Sequence, residues 1–320
     1  MSVRSVGLGA MFGWIADSLG LFKANLRTML SAGGITLGMV LLMFLPLWGV
    51  MFWAMRQSVQ HGGVPGALPM GGDMTLFWIL YVSTMLIGLM LFPPLLVGWF
   101  RLCRDADQGA TPVAMDLLKP YRDPQLWMRS IRFALLALLV YLAALALFYL
   151  VFHEAISEFV QQTAAREAAL LAGAAPPAAD FPGGLILGYL LFIVVAMVLQ
   201  MVYLLGYAEI SLRETPGLQA LGMAFSSVGK NALKLLLFLF LASSIFGIAF
   251  MIVAVVLALI VMALNFVHVA LAVVAMVVFY VAMLLLVYPL MFAGSYFFWK
   301  SALGGEGDAV ARLPDSVVSA

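Results

Sequence analysis

Charge is the scarcest property of this chain. Only 10% of its 320 residues are Asp, Glu, Lys or Arg, where an ordinary soluble domain carries about 25%. That scarcity excludes a water-solvated surface over most of the length. Cysteine is almost missing: Cys103 stands alone, so an intramolecular disulfide is excluded. No signature around Cys103 marks it as a nucleophile, and it reads as a structural thiol near an interface.

Histidine occurs three times, at His61, His153 and His268. His153-Glu154 opens like a zinc-protease helix motif, but Ala155-Ile156-Ser157 follows and the second histidine is absent. A Walker loop, a Rossmann glycine fingerprint and a nucleophile elbow are also missing. Asp105-x-Asp107-x-Gly109 starts like a calcium loop, yet the later oxygen ligands and the closing glutamate do not follow. No catalytic residue, cofactor site or metal-ligand set is therefore expected. The net charge of +1 gives no reason to expect a nucleic acid as partner.

What the chain has in excess is long apolar runs, within an apolar content of 65%. About 20 apolar residues span a hydrocarbon core as helix. Six runs qualify: 32–55, 75–99, 131–152, 184–208, 233–261 and 267–298. They lack the period-2 alternation of outer-membrane strands. The expected fold is an all-α integral membrane protein with six transmembrane helices. Residues 1–303 form a single membrane domain and 304–320 a mobile cytoplasmic tail. The first run lies behind a charged amphipathic stretch, without a small-x-small cleavage site, so it is expected to be retained as a span.

Counting positive charge by side gives the orientation. With both termini inside, fourteen Lys and Arg residues fall on cytoplasmic segments, and only Arg56 and Arg166 fall outside. That is the bias of the positive-inside rule.

Three span exits resemble one another. Gly98, Gly206 and Gly294 each precede aromatic residues, and Gly109, Gly217 and Gly305 each lie eleven residues later. Amphipathic stretches precede the odd-numbered spans. Leu8, Met11, Ile15, Leu19, Phe22, Leu26 and Met29 form a stripe in the first, and Leu218, Leu221, Phe225, Val228 and Ala232 in the third. In the middle stretch Thr111-Pro112 starts a short helix limited by Pro120, and Asp123-Pro124 starts the helix of the third span. Thr215-Pro216 reads as an N-cap with proline at the first helical position. The expected unit is an amphipathic helix plus a transmembrane hairpin, used three times: 8–109, 110–216 and 217–303. Six spans with ordinary interfacial connectors is the simpler alternative.

Polar groups within the spans are few. Gln200 is the clearest, read as an interhelical hydrogen bond. Glu209 sits at a span end, with Arg213 at i,i+4 as its partner. Gly34-x-x-x-Gly38 and Ser243-x-x-x-Gly247 are candidate helix-packing sites, inside the chain or between copies. The segment from His153 to Leu171 is expected to prolong the third transmembrane helix beyond the bilayer.

The chain resembles poorly characterised proteobacterial multi-pass inner-membrane proteins. The resemblance rests on the amphipathic entry with Trp14, on Pro94-x-x-x-Gly98 followed by Cys103-Arg104 and Gly109, on the amphipathic connector before span five, and on the Pro289–Gly294 exit. It implies a bacterial inner membrane and carries no catalytic residue with it.

The function expected first is a non-enzymatic membrane scaffold or accessory protein. Its basic amphipathic cytoplasmic surface would contact membrane lipids, anionic ones among them, or a membrane or cytoplasmic protein partner. Arg101, Arg104, Lys119, Arg122, Arg129 and Arg132 are the candidate headgroup contacts. A transporter or flippase for an amphiphile is the alternative, and a lipid-modifying enzyme the third.

Overall fold

A computed structural model describes residues 4–7, 9–60, 74–173, 183–267 and 269–304. Every regular element described is helical. In chain order they are α1 (Ala10–Ala24), α2 (Leu26–Gln60), α3 (Met74–Asp107), a 3-10 helix (Ala114–Arg122), α4 (Pro124–Leu171), α5 (Gly183–Arg213), α6 (Gly217–Val267) and α7 (Val269–Ala302). Helices α2 to α7 each contain a stretch long and apolar enough to cross a membrane, six among the described residues. The chain is a multi-pass membrane protein. A helix satisfies its own backbone polar groups, which hydrocarbon cannot do, so long apolar runs resolve into helices and not into open strands.

The helices overrun the apolar runs. Helix α4 has 48 residues, roughly 72 Å at 1.5 Å per residue, against a hydrocarbon core of about 30 Å. It continues through His153 to Leu171, as the sequence led us to expect. Asp123 starts it: the Oδ1 atom accepts from the backbone N–H groups of Gln125 and Leu126, both at 3.1 Å.

The three amphipathic entries are built in three different ways. The first breaks at Asn25 into α1 and α2. The second is the 3-10 helix. The third runs unbroken into its span as α6. The Thr215 cap does not form. Helix α6 begins at Gly217, the carbonyl of Pro216 accepts from Ala220 N–H at 2.9 Å, and the Thr215 hydroxyl turns to Glu209 instead.

The antiparallel pairs α2–α3, α4–α5 and α6–α7 pack most tightly at one end, where the chain's charges also collect. Trp99, Tyr207, Phe100, Phe133, Phe292 and Phe298 are the largest fully buried side chains, all at this charged end. Trp14 of α1 packs edge-on against Phe238 and Phe298, with ring centres 5.3 and 5.0 Å away. Trp99 stacks on Phe292 at 5.1 Å. Towards the far end large apolar side chains stay uncovered, among them Leu147, Leu150, Leu187 and Val278. Lipid tails are as apolar as leucine, so such side chains need no protein cover inside a membrane.

Pro94 frees a carbonyl within its span, and side chains that follow the span reach it and its neighbour. Pro94 lacks the N–H that would bond the Met90 carbonyl, and Trp127 Nε1 donates there at 3.4 Å. Tyr121 of the 3-10 helix donates its hydroxyl to the adjacent Leu91 carbonyl. Burial raises the Tyr121 pKa and keeps that hydroxyl protonated.

Candidate functional site at the charged end

Two of the three exit glycines, Gly98 and Gly206, let another element approach their helices more closely than a side chain would allow, whereas a side chain at Gly294 would make only ordinary contact. A Cβ on Gly98 would lie 2.1 Å from the carbonyl oxygen of Leu117 in the 3-10 helix. On Gly206 it would lie 2.0 Å from the ring of Phe133, and on Gly294 3.5 Å from the ring of Phe238. Gly109 takes a left-handed φ of 80°, which closes the turn after α3. Gly305 lies outside the described residues.

The glycines singled out for packing behave otherwise. Among the described residues a Cβ on Gly34, Gly38 or Gly247 would meet nothing within 4 Å, so none of the three is a point of close approach there. Gly33, one residue earlier, faces α7: a Cβ there would lie 3.4 Å from the Leu285 carbonyl oxygen and 3.6 Å from the Pro289 ring. Pro289 is also the residue whose missing N–H leaves that carbonyl without its helical donor. The side chain of Ser243 lies outside the described residues.

A buried carboxylate organises the middle of this end. Glu209 is wholly inaccessible. Its Oε1 accepts from Trp299 Nε1 at 2.7 Å and from Arg213 Nη1 at 3.3 Å, and its Oε2 accepts from Thr215 Oγ1 at 3.3 Å. Arg213 also donates to the Leu303 carbonyl and lies 5.3 Å from the centre of the Trp299 ring. The predicted pair with Arg213 is present, but it is one side of a cage. Trp299 and Thr215, which complete it, gave no local sequence signal.

Beside the cage, Arg101 and Arg129 hold the turn between α5 and α6. Arg101 Nε donates to the Ser211 carbonyl at 3.2 Å, and Arg129 Nη1 to the Glu214 carbonyl at 3.0 Å. Both guanidiniums also approach the Glu214 carboxylate, at 3.7 and 3.6 Å. Glu214 has a φ of 55°, which costs a non-glycine residue energy that these contacts offset.

Of the six candidate headgroup contacts, four have protein partners. Arg101 and Arg129 hold Glu214, Arg104 pairs with Asp105 at 3.1 Å, and Lys119 pairs with Asp116 at 2.9 Å. The Lys119 hydrogen bond lowers the pKa of Asp116. Arg122 and Arg132 are exposed and have no partner among the described residues, and the same holds for Lys23 and Arg27.

The surroundings of the other sequence candidates are as follows. Cys103 is buried and free. Gln200 Oε1 accepts from the Tyr141 hydroxyl at 3.4 Å, a bond between α5 and α4. His153 Nδ1 lies 3.1 Å from the Leu150 carbonyl of its own helix, while His61 and His268 lie outside the described residues. Among the described residues no group of three His, Cys, Asp or Glu side chains is placed to hold a metal.

Two recesses stand out. An apolar one of about 310 Å³ lies between α4 and α5, lined by Tyr141, Phe148, Phe152, Phe192 and Leu199. A larger cleft of about 650 Å³ lies at the charged end, between α1 and the ends of α3 and α7. No family model, curated protein or solved structure matches this chain.

Proposed function

We propose that the chain is a non-enzymatic scaffold or accessory protein of a bacterial inner membrane, with both termini in the cytoplasm. Its charged end is the cytoplasmic face, and that face contacts anionic lipid headgroups or a protein partner. One observation carries this reading. Arg122 and Arg132, with Lys23 and Arg27, stand exposed and unpaired among the described residues, beside a tightly packed core. A rigid base that presents free guanidiniums at headgroup depth suits phosphate. The three-unit repeat belongs to the same proposal: Gly98 and Gly206, each closely approached by another element at the exit of its unit, support it.

Native mass spectrometry of the full chain in mild detergent tests the lipid contact, with equal amounts of phosphatidylglycerol and phosphatidylcholine supplied. Wild type should retain phosphatidylglycerol in excess, and Arg122→Gln with Arg132→Gln should remove most of that excess. Equal retention of both lipids by wild type, with no protein partner co-purifying, would end the proposal.

The recess between α4 and α5 favours a second reading, transport of an amphiphile. Its walls are apolar and its inner end carries the Tyr141–Gln200 hydrogen bond. Liposomes containing the chain would then move labelled lipid faster than empty ones.

A further inference from the structure

We propose that α5 is the contact between two copies of this chain in the membrane, with Gln200 of each copy hydrogen-bonded to Gln200 of the other. The inference draws nothing from the guanidinium rim.

Gln200 is exposed on the outside of the helix bundle. The apolar run 184–208 centres on Ala196, so Gln200 lies one helical turn, about 6 Å, from the middle of its span. Its hydrogen bond among the described residues is the one to Tyr141, whose hydroxyl donates to Oε1 at 3.4 Å. A primary amide has two N–H donors and an oxygen with two lone pairs. Among the described residues both donors of Gln200 therefore lack an acceptor. In hydrocarbon an unmet donor is costly, and no water is at hand to meet it.

Lipid supplies no acceptor at this depth. Its chains carry none, and its ester oxygens lie at the edges of the core, about 15 Å from the middle. A second copy supplies one. When a two-fold axis along the membrane normal relates two copies, each residue stays level with its own counterpart. The amide is also self-complementary: each Nε2 donates to the other copy's Oε1, which keeps its Tyr141 bond on the second lone pair. One side chain thus meets the requirements of both depth and chemistry.

The rest of that face suits a parallel helix pair. Stepping outward from Gln200 by four and three residues in turn gives Ala196, Ile193, Tyr189 and Ile186. This is the a and d spacing of a left-handed pair, the commonest crossing in membranes. Ile186, Tyr189 and Ile193 are exposed and Ala196 is half-buried, so the described residues leave the seam open. With Gln200 at an a position, the other a positions hold Ile193 and Ile186, and β-branched residues there favour two strands. Ala196, one turn from Gln200, lets the two backbones come close. A single polar a residue also fixes the register, because any slip separates the two amides.

Cysteine cross-linking of the full chain in liposomes tests the contact. Cys103 is the sole native cysteine and is buried, so the unsubstituted chain gives the background. Ile193→Cys lies on the seam, whereas Leu191→Cys, also exposed, points about 180° away from Gln200. On oxidation Ile193→Cys should give a covalent dimer that persists when added lipid dilutes the protein, and Leu191→Cys should stay at background. Gln200→Leu added to Ile193→Cys should raise the dissociation constant read from the lipid-dilution series about tenfold, the range of one or two interhelical hydrogen bonds. Equal yields at the two positions, or an Ile193→Cys dimer indifferent to Gln200→Leu, would overturn the proposal. So would native mass spectrometry that finds the unsubstituted chain only as a monomer carrying an apolar molecule that Gln200→Leu releases, because a ligand would then hold the amide. A melting curve for each variant establishes that it is folded.

Discussion

Replacing Gly98 by alanine puts a methyl group 2.1 Å from the carbonyl oxygen of Leu117. Ordinary contact begins at 3.4 Å, so the 3-10 helix has to retreat by the difference, about 1.3 Å. The obstacle is backbone and cannot rotate aside. The same move loosens Tyr121 from Leu91 and carries Leu117, which is fully buried, away from α3. Overpacking of this kind costs about 1–3 kcal/mol, and the better helix propensity of alanine returns up to about 1 kcal/mol of it. Gly34→Ala is the matched control. It gains the same propensity in a helix and meets nothing within 4 Å. Thermal unfolding in mild detergent, followed by size exclusion, should show Gly98→Ala several degrees below wild type and Gly34→Ala at or above it. If both variants melt together, or if Gly98→Ala matches wild type, close approach at the exit glycine is not what holds the connector to the span.

Two other predictions concern the polar network of the charged end. Arg213→Met leaves the buried Glu209 without its counter-charge and should cost about 3 kcal/mol in denaturant unfolding, while Glu209→Gln added to it should recover much of the loss. Asp116 has a depressed pKa in the folded chain, so its pairing with Lys119 stabilises the 3-10 helix above the ordinary carboxylate range near 4 and fades as pH falls through the lowered value. Hydrogen exchange across Ala114–Arg122 should therefore quicken on acidification in wild type and much less in Asp116→Asn, with an effect below about 1 kcal/mol because the pair is largely exposed.

The spans were legible because hydrocarbon leaves the chain almost no choice: a run of about 20 apolar residues has to be helical. Asp123-Pro124 was legible for a local reason, since a short carboxylate before proline fits a helix start. Thr215 looked equally suitable by type, but Glu209 six residues back competed for its hydroxyl. The cage around Glu209 was illegible beyond Arg213 because Trp299 is ninety residues away in sequence. The glycine pair Gly34 and Gly38 illustrates a different limit. A helix turned by one residue, about 100°, presents Gly33 to α7 instead, and spacing alone does not report that rotation. The same rotation affects the amphipathic stripes. Trp14, Leu21 and Phe22 are buried on α1 while Leu19 of α1 and Leu26 at the start of α2 face outward, so the apolar circumference divides between protein and surroundings.

The unbroken course of α6 has a mechanical consequence. Its first turns are fixed near the charged end, where Asn231 accepts from the backbone of Val6 at 2.9 Å and donates to the Arg4 carbonyl at 3.1 Å. From Asn231 to Val267 the helix continues for 36 residues, about 54 Å. A tilt of 5° about that anchor displaces the far tip by about 5 Å, whereas the break at Asn25 uncouples α1 from α2. Of the three amphipathic entries, the third is the one built as a lever, with its fulcrum on the cytoplasmic side of the proposed topology and its long arm through the bilayer.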